Sequence, residues 1–550
     1  MALSPTLQSN ALKQYLSGNA MKSLCTQAKK ALKSCLKVCC PPPPIRKSLS
    51  TYLYKYRADR AFERIYLARK VAPPLAFLPR LSHLSHLPSS PHATQARKIR
   101  VLFYNDWGNS WEALEPLALV LSGDPAFEVI VLAMPSRVES SAFYDLNASL
   151  STQSFAQKVQ TQAILVQDIL DSSDLDSSLA RAKSLHATKL AQWLESTLAT
   201  NSKPLCLIGF DTALNAPITP QDLAAHYCFT TRPYDSLRPA AWSNPRIAQI
   251  SKLCYIEYGV YMFSSFDEIS AYDYRLLRFY DYYFAPTPFH AKLSASKQGA
   301  KSLLRIMLSG SAYFERLISL ASHKPHAKPL RVLYVPRWAA QDTHSTFSRY
   351  IEPLIEAAKQ GHFRLHFRPH PNMYDHLVES NLLSKQQWQG IKDCVEKYGF
   401  WDTRPSIMES FSDSDIIISD TSSMLIYAFL SGKPTIYTQG DDMAEICAWA
   451  LRVAQGVFIA TSKQELLQVL RDLCANLQQA FMPKIISRDW ILQQNFYFPK
   501  GGASAIIRDS ILSDMSQTSP QAKALDKDFK HLESALCPTD LPPQYIRIKR

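Results

Sequence analysis

A chain of 550 residues, 46% hydrophobic and 11% aromatic, carries enough apolar side chain for two cores and a smaller appendage and is not a mostly disordered protein. Its formal charge of +14, from 61 Lys and Arg against 47 Asp and Glu, favours an anionic partner without choosing among nucleic acid, phospholipid and phosphorylated polymer. Glycine is scarce at 15 residues, proline abundant at 35, and neither a GxGxxG nor a P-loop pattern occurs, so a dinucleotide-binding crossover or a P-loop ATPase is not supported.

In chain order, residues 1–97 form a basic helical extension. AMKSLCTQAKKALKSCLKVCC sets lysines between apolar residues at helical spacing before a proline run, and KSLSTYLYKYRADRAFERIYLARK offers Arg57, Arg60 and Arg64 on a second helix. Such helices either rest on an anionic membrane surface or pack as a solvated pair on the body; no specific nucleic acid is expected. A positive start followed by an apolar core and cleavage site is missing, as is any long uncharged apolar run, which argues against a cleaved secretory or integral membrane form. The 11 cysteines do not make a dense disulfide scaffold and suit a reducing compartment. Cys35, Cys39 and Cys40 have no partnering histidine or second pair nearby, so no zinc site is expected there.

Residues 98–295 read as a first α/β domain. KIRVLFYND, FEVIVLAMPS, PLCLIGF, LCYIEYGVYMF and YDYYFAPTPF supply strands, with helices in WGNSWEALEPLALVLSG and in SSLARAKSLHATKLAQWLESTLA. Residues 296–314 lead to a second domain over 315–515, where LRVLYVPRW, FRLHFRPHP, SDIIISDTSS, KPTIYT and GVFIAT alternate with helices such as TFSRYIEPLIEAAKQG and SMLIYAFLSG. This alternation predicts an α/β protein of two doubly wound, Rossmann-like domains, each sheet mostly parallel and covered on both faces, with the active site in the cleft between them. Residues 516–550 form a polar basic tail to which the sequence assigns no role.

Two junctions in the second domain suit an anion. Asp420, Thr421, Ser422 and Ser423 sit where a parallel strand ends and a helix begins, the usual ligand position in an open α/β sheet, and the helix's first-turn N–H groups would suit a phosphate or diphosphate. The same residue types are ordinary helix caps, so plain capping is the competing account. In RLHFRPHP a basic strand end meets a proline turn: Arg368 offers a planar fork of donors and His370 an imidazole, both suited to phosphate oxygens.

On these residues the second half resembles the CDP-glycerol glycerophosphotransferase family, the teichoic-acid type polymerases and primases. VLYVPRWAAQD is similar to its Tyr-Ala-Pro-Thr-Trp-Arg segment, FRPHP to its Arg-x-His-Pro segment, and SDIIISDTSSMLIYAFLSGKPTIY to its Asp-Tyr-Ser-Ser strand-helix-strand. The resemblance implies a GT-B-like arrangement of the two domains in a cytoplasmic enzyme peripheral on the inner face of the cell membrane. It implies transfer of a polyol phosphate from a CDP-linked donor to a glycan or polymer hydroxyl in surface polysaccharide synthesis. His370 would be the donor-site histidine, with Arg368, Ser422 and Ser423 near the donor phosphates and Asp420 orienting their turn or meeting the donor. Thr421 replaces the family's tyrosine, and Arg337 stands one position before its arginine. No tightly bound cofactor is implied; diphosphate chemistry admits Mg²⁺, although the sequence shows no paired-carboxylate metal pattern.

The first domain departs from the family, whose Trp-His-Gly histidine is the proposed base. Here IEYGVYM aligns Tyr258 with that histidine and Gly259 with the glycine, and a tyrosine of ordinary pKa is a poor base at neutral pH. Asp106, at the end of the first strand, and Glu257 are the alternative catalytic bases. Neighbours on a strand point oppositely, so Glu257 and Tyr258 do not enter one pocket together. Sugar transfer from a nucleotide-sugar donor and a non-catalytic nucleotide- or anion-binding role are the competing functions.

Overall fold

The computed structural model describes residues 60–69, 98–105, 108–133, 205–208, 210–211, 216–217, 219–233, 238, 242–263, 274–298, 302–322, 325–338, 345–371, 373–404, 406–440 and 445–516. The chain divides into two units, Met1–Arg64 and Ile65–Arg550; of the first, residues 60–64 are described and are helical. Asp106, the basic stretches and cysteines before residue 60, the helix expected over 177–199 and the tail after 516 lie outside the described residues.

Two parallel sheets organise the second unit. The first has seven strands: β1 (Ile99–Asn105), β2 (Phe127–Ala133), β3 (Leu205–Ile208), β4 (Tyr227–Thr230), β5 (Lys252–Ile256), β6 (Tyr282–Ala285) and β7 (Arg305–Leu308). They lie in the order β3-β2-β1-β4-β5-β6-β7, with Val101 beside Tyr227 across the β1–β4 pair. The second has six: β8 (Arg331–Val335), β9 (Arg364–Phe367), β10 (Gly399–Trp401), β11 (Ile416–Ser419), β12 (Thr435–Thr438) and β13 (Phe458–Ala460), ordered β10-β9-β8-β11-β12-β13. In both, the first strand is central and the order reverses beside it, so each sheet opens a crevice at the carboxyl ends of its first and fourth strands. Both domains are doubly wound and Rossmann-like.

The second sheet shows why its strands read as continuous apolar runs: both faces are covered. Leu333, Val335 and Ile417 point to one core with Leu425 and Ile426 of helix α8 (Ser423–Leu430). Val332, Tyr334, Ile416 and Ile418 point to the other with Tyr350 and Leu354 of α5 (Phe347–Lys359). Each such side chain, fully buried, contributes about 1.5–3 kcal/mol. Helix α8 stops at Gly432, whose φ of 70° puts it in the left-handed region; a Cβ there would also lie 2.5 Å from that of Ala321.

Three short strands, β4, β7 and β10, were not foreseen in the sequence. Strand β7 bears on the expected domain limits: Arg305–Leu308 pairs with β6 as the outer strand of the first sheet, inside the stretch read as interdomain. Helix α4 (Ala312–Ser319) then crosses to the second domain, where the Tyr313 ring meets Tyr427 edge-on at 5.0 Å. The last helix, α12 (Ala503–Ser516), returns to the first domain. Its Ile507 and Ile511 join the core of Trp111 and Leu117, the latter on α1 (Glu115–Ser122). Its Asp514 accepts from the Tyr227 hydroxyl at 2.5 Å and pairs with Lys252. The sequence placed this helix within the second domain; its apolar face finds its partner in the first.

Candidate active site

The crevice of the second sheet gathers the predicted residues. Strand β8 ends in Pro336-Arg337-Trp338, β9 in Arg368-Pro369-His370, and β11 in Asp420 to Ser423. Asp420 is fully buried, and its carboxylate accepts the Arg337 backbone N–H at 2.9 Å and that of Thr346 at 3.0 Å. It therefore holds the loop after β8 against the β11 turn. Burial outweighs these bonds and pushes its carboxyl up to about 6. Thr421, also buried, bonds the Tyr437 hydroxyl at 2.8 Å.

Ser422 has extended backbone at the N-cap of α8 but makes no side-chain cap to that helix, so plain capping is not what this turn does. Its hydroxyl lies 3.3 Å from that of Ser419, while Ser423 donates to the Val260 carbonyl at 3.3 Å. The first-turn amides of α8 are thus left without a side-chain acceptor from Ser422.

Arg337 lies over the Phe263 ring at 4.9 Å. Its Nη1 is buried and finds no acceptor among the described residues. His370 packs its ring 5.9 Å from that of Trp338. Burial first, then the positive charges of Arg337, His376 and Arg368, lower its pKa to about 3, so it is a neutral imidazole at physiological pH, able to donate from one nitrogen and accept at the other. Arg368 turns inward: its Nη1 lies 3.3 Å from Asp402 and 3.0 Å from Ser410, fastening the β9 end to helix α7 (Ile407–Ser412).

The segment after β5 reaches this crevice from the first domain. Phe263 bridges Ile446, and the Met262 carbonyl accepts the Cys447 N–H at 2.7 Å. Glu257 is buried and accepts from the Tyr283 hydroxyl at 2.5 Å. Tyr258 packs its ring toward the first domain's core, and its carbonyl accepts from the Tyr427 hydroxyl; Gly259 follows it, buried. Of the base candidates, Glu257 is thus seen hydrogen-bonded, and Asp106 falls outside the described residues.

Several contributors had no sequence signal because their partners are remote. Glu112, in the 3-10 turn Gly108–Ala113, crosses between domains to accept from the Ser406 hydroxyl, the backbone N–H groups of Ile407 and Met408 at 3.4 Å, and the Tyr313 hydroxyl at 3.2 Å. His290, in the first turn of α3 (Pro288–Lys297), is fully buried, bonded to Thr287 at 2.7 Å and edge-on to Trp449 at 4.9 Å. Among the described residues no group of three His, Cys, Asp or Glu is placed to hold a metal ion, and no helix is long and apolar enough to cross a membrane.

The raised Asp420 carboxyl predicts a pH dependence for the site. Nucleotide affinity is expected to fall as pH drops through about 6, because the protonated carboxyl gives up an acceptor for the Arg337 and Thr346 amides. Asp420→Asn, which cannot titrate, should abolish the inflection; a wild-type binding curve that stays flat through this range would exclude the role. Global stability moves the other way. The native pKa lies above the unfolded value of 3.8, so the native state binds the proton first and this group's contribution falls as pH rises from about 4 to about 6.

No protein-family model matches the chain, and no curated protein matches it. Solved structures resemble it in fold at low identity. The wall teichoic acid polymerase TagF is 13% identical with a TM-score of 0.42, over 84% of this chain and 98% of that one. S. aureus MnaA with UDP is 11% identical with a TM-score of 0.43, over 77% and 98%. Anabaena Alr3699/HepE in complex with UDP and glucose is 14% identical with a TM-score of 0.39, over 76% and 100%.

Proposed function

We propose that this chain is a transferase that binds a nucleoside diphosphate-linked donor at the second sheet's crevice and transfers its activated group to a hydroxyl of a glycan or polymer acceptor. One observation carries this: the buried Nη1 of Arg337 finds no acceptor among the described residues, beside a helix start that Ser422 does not cap. A diphosphate supplies acceptors for both, and a buried guanidinium N–H without an acceptor is otherwise costly. Neutral His370 would donate to the phosphate that gains charge as the bond to the leaving group breaks.

The finer reading is polyol-phosphate transfer from a CDP-linked donor, supported by the ordered trio of segments around Arg337, His370 and Asp420 to Ser423. The acceptor oxygen attacks the distal phosphorus, the bond to the bridging oxygen breaks, CMP leaves and the acceptor proton passes to a base. Sugar transfer is the second reading, favoured by the first domain's departure from the family's Trp-His-Gly segment: Tyr258 stands at the histidine's position and packs its ring toward the first domain's core. In that case the acceptor attacks the anomeric carbon and the whole nucleoside diphosphate leaves.

Nucleotide release from purified protein separates the two. CDP-glycerol, CDP-ribitol and common nucleotide sugars are offered with envelope lipids and capsule fragments as acceptors. Acceptor-dependent CMP indicates phosphate transfer, and CDP or UDP indicates sugar transfer; binding without release under every pairing removes the catalytic reading. We further propose a cytoplasmic location, peripheral to the membrane's inner face, which cell fractionation tests.

Arg337→Ala should weaken nucleotide binding about ten- to a hundredfold, the size of a charge-assisted hydrogen bond set. The backbone N–H that Asp420 holds is retained, so the melting temperature should stay near wild type. Unchanged affinity in calorimetry would move the diphosphate elsewhere.

A further inference from the structure

Arg337 is held by both domains. Its backbone is fixed within the second, the N–H donating to Asp420 at 2.9 Å and the carbonyl accepting from the Ser345 hydroxyl at 2.7 Å. Its side chain is seated by the first: the guanidinium carbon lies 4.9 Å from the centroid of the Phe263 ring, on the segment after β5. A cation over an aromatic face is attracted by the ring's quadrupole, more strongly where water is excluded, and Phe263 is 9% exposed.

That ring is brought to the second domain by the backbone ahead of it. The carbonyls of Tyr258, Val260 and Met262 accept in turn from the Tyr427 hydroxyl, from the Ser423 hydroxyl at 3.3 Å and from the Cys447 N–H at 2.7 Å. Two of these donors lie on α8, the helix that opens at the anion-suited junction, and the third precedes the helix Ala448–Ala454. Phe263 itself bridges Ile446 and meets the Tyr261 ring edge-on at 6.2 Å. Three alternate carbonyls thus fasten the segment across the start of α8, and the ring at its end reaches Arg337.

We infer that Phe263 is a positioning residue for the donor site: its ring, supplied by the first domain, holds the Arg337 guanidinium in place for the diphosphate. The inference rests on the donor reading above. An arginine side chain has many rotamers, and ordering it at the moment of binding weakens affinity. Over the Phe263 ring it is ordered before the nucleotide arrives. A leucine in place of Phe263 still packs against Ile446 but offers no π face.

Calorimetry of the full chain with CDP and with UDP, run as a double-mutant cycle between the two residues, tests this. Phe263→Leu should weaken binding about two- to tenfold, the effect of leaving one long side chain to be ordered on binding. Phe263→Tyr, which keeps the ring, should retain most of the affinity. In an Arg337→Ala background, Phe263→Leu should weaken binding no further, because no guanidinium remains to be placed. Packing against Ile446 changes in both backgrounds, so a ring that only filled space would weaken binding in both. Phe263→Leu that binds as wild type, or that loses as much affinity without Arg337 as with it, overturns the inference and leaves the donor reading standing. A wild-type chain that binds neither nucleotide overturns the donor reading, and the inference with it.

Discussion

His370→Ala lowers donor turnover about a hundred- to a thousandfold, the range seen when one preorganised donor to a developing oxyanion is removed. The imidazole sits three residues past the end of β9 with its ring 5.9 Å from that of Trp338. With its pKa lowered to about 3, it stays a neutral imidazole carrying one N–H throughout the physiological range. Its charge state therefore adds no inflection to the pH profile near neutrality, and an inflection near 6 that Asp420→Asn removes belongs to Asp420. The fold should survive, because the His370 contact that shapes the turn is its carbonyl, which accepts the Met373 N–H at 2.8 Å. The measurement is kcat and KM beside a thermal melt: kcat should carry the loss. A variant that turns over normally, or one that loses activity only as it loses its melting transition, would remove His370 from the chemistry.

Glu112→Ala should cost about 3–5 kcal/mol of stability, because several buried donors lose their acceptor at about 1–3 kcal/mol each. The carboxylate is 3% exposed and serves four donors from two elements: the Ser406 hydroxyl and two amides opening α7, and the Tyr313 hydroxyl on α4. Alanine leaves them buried without an acceptor. Glutamine keeps one oxygen, and because burial already pushes the Glu112 carboxyl above its ordinary value, removing the charge recovers some desolvation. Glu112→Gln should therefore cost less than half as much. Urea unfolding of both variants decides it; equal, small losses would mean that the donors find other partners or water. Since α7 also carries Ser410, which holds Arg368 at 3.0 Å, Glu112→Ala should weaken nucleotide binding as well as the fold.

The sequence by itself determined the two parallel sheets and which strand ends meet at the second sheet's crevice. KIRVLFYND and SDIIISDTSS read as strands because a parallel strand buried on both faces needs a continuous apolar run, whatever its neighbours are. The junctions after β8, β9 and β11 were legible because strand, turn chemistry and helix lie within a few residues of one another. Strands β4, β7 and β10, at 4, 4 and 3 residues, were not legible, although β9 and β13, at 4 and 3, were; pairing with distant strands defines them. Tertiary structure alone decided which polar groups face the crevice. Arg368 looks like a phosphate ligand in FRPHP, yet Asp402 and Ser410, 34 and 42 residues further on, turn it inward. Asp420 looks like a ligand or cap, yet it holds the backbone of Arg337, 83 residues earlier. Glu112 gives no local signal, because its Ser406 partner is 294 residues away. A burial pattern is written in neighbouring residues, whereas the direction a buried charge takes depends on which remote donors and acceptors the folded chain brings within about 3 Å of it.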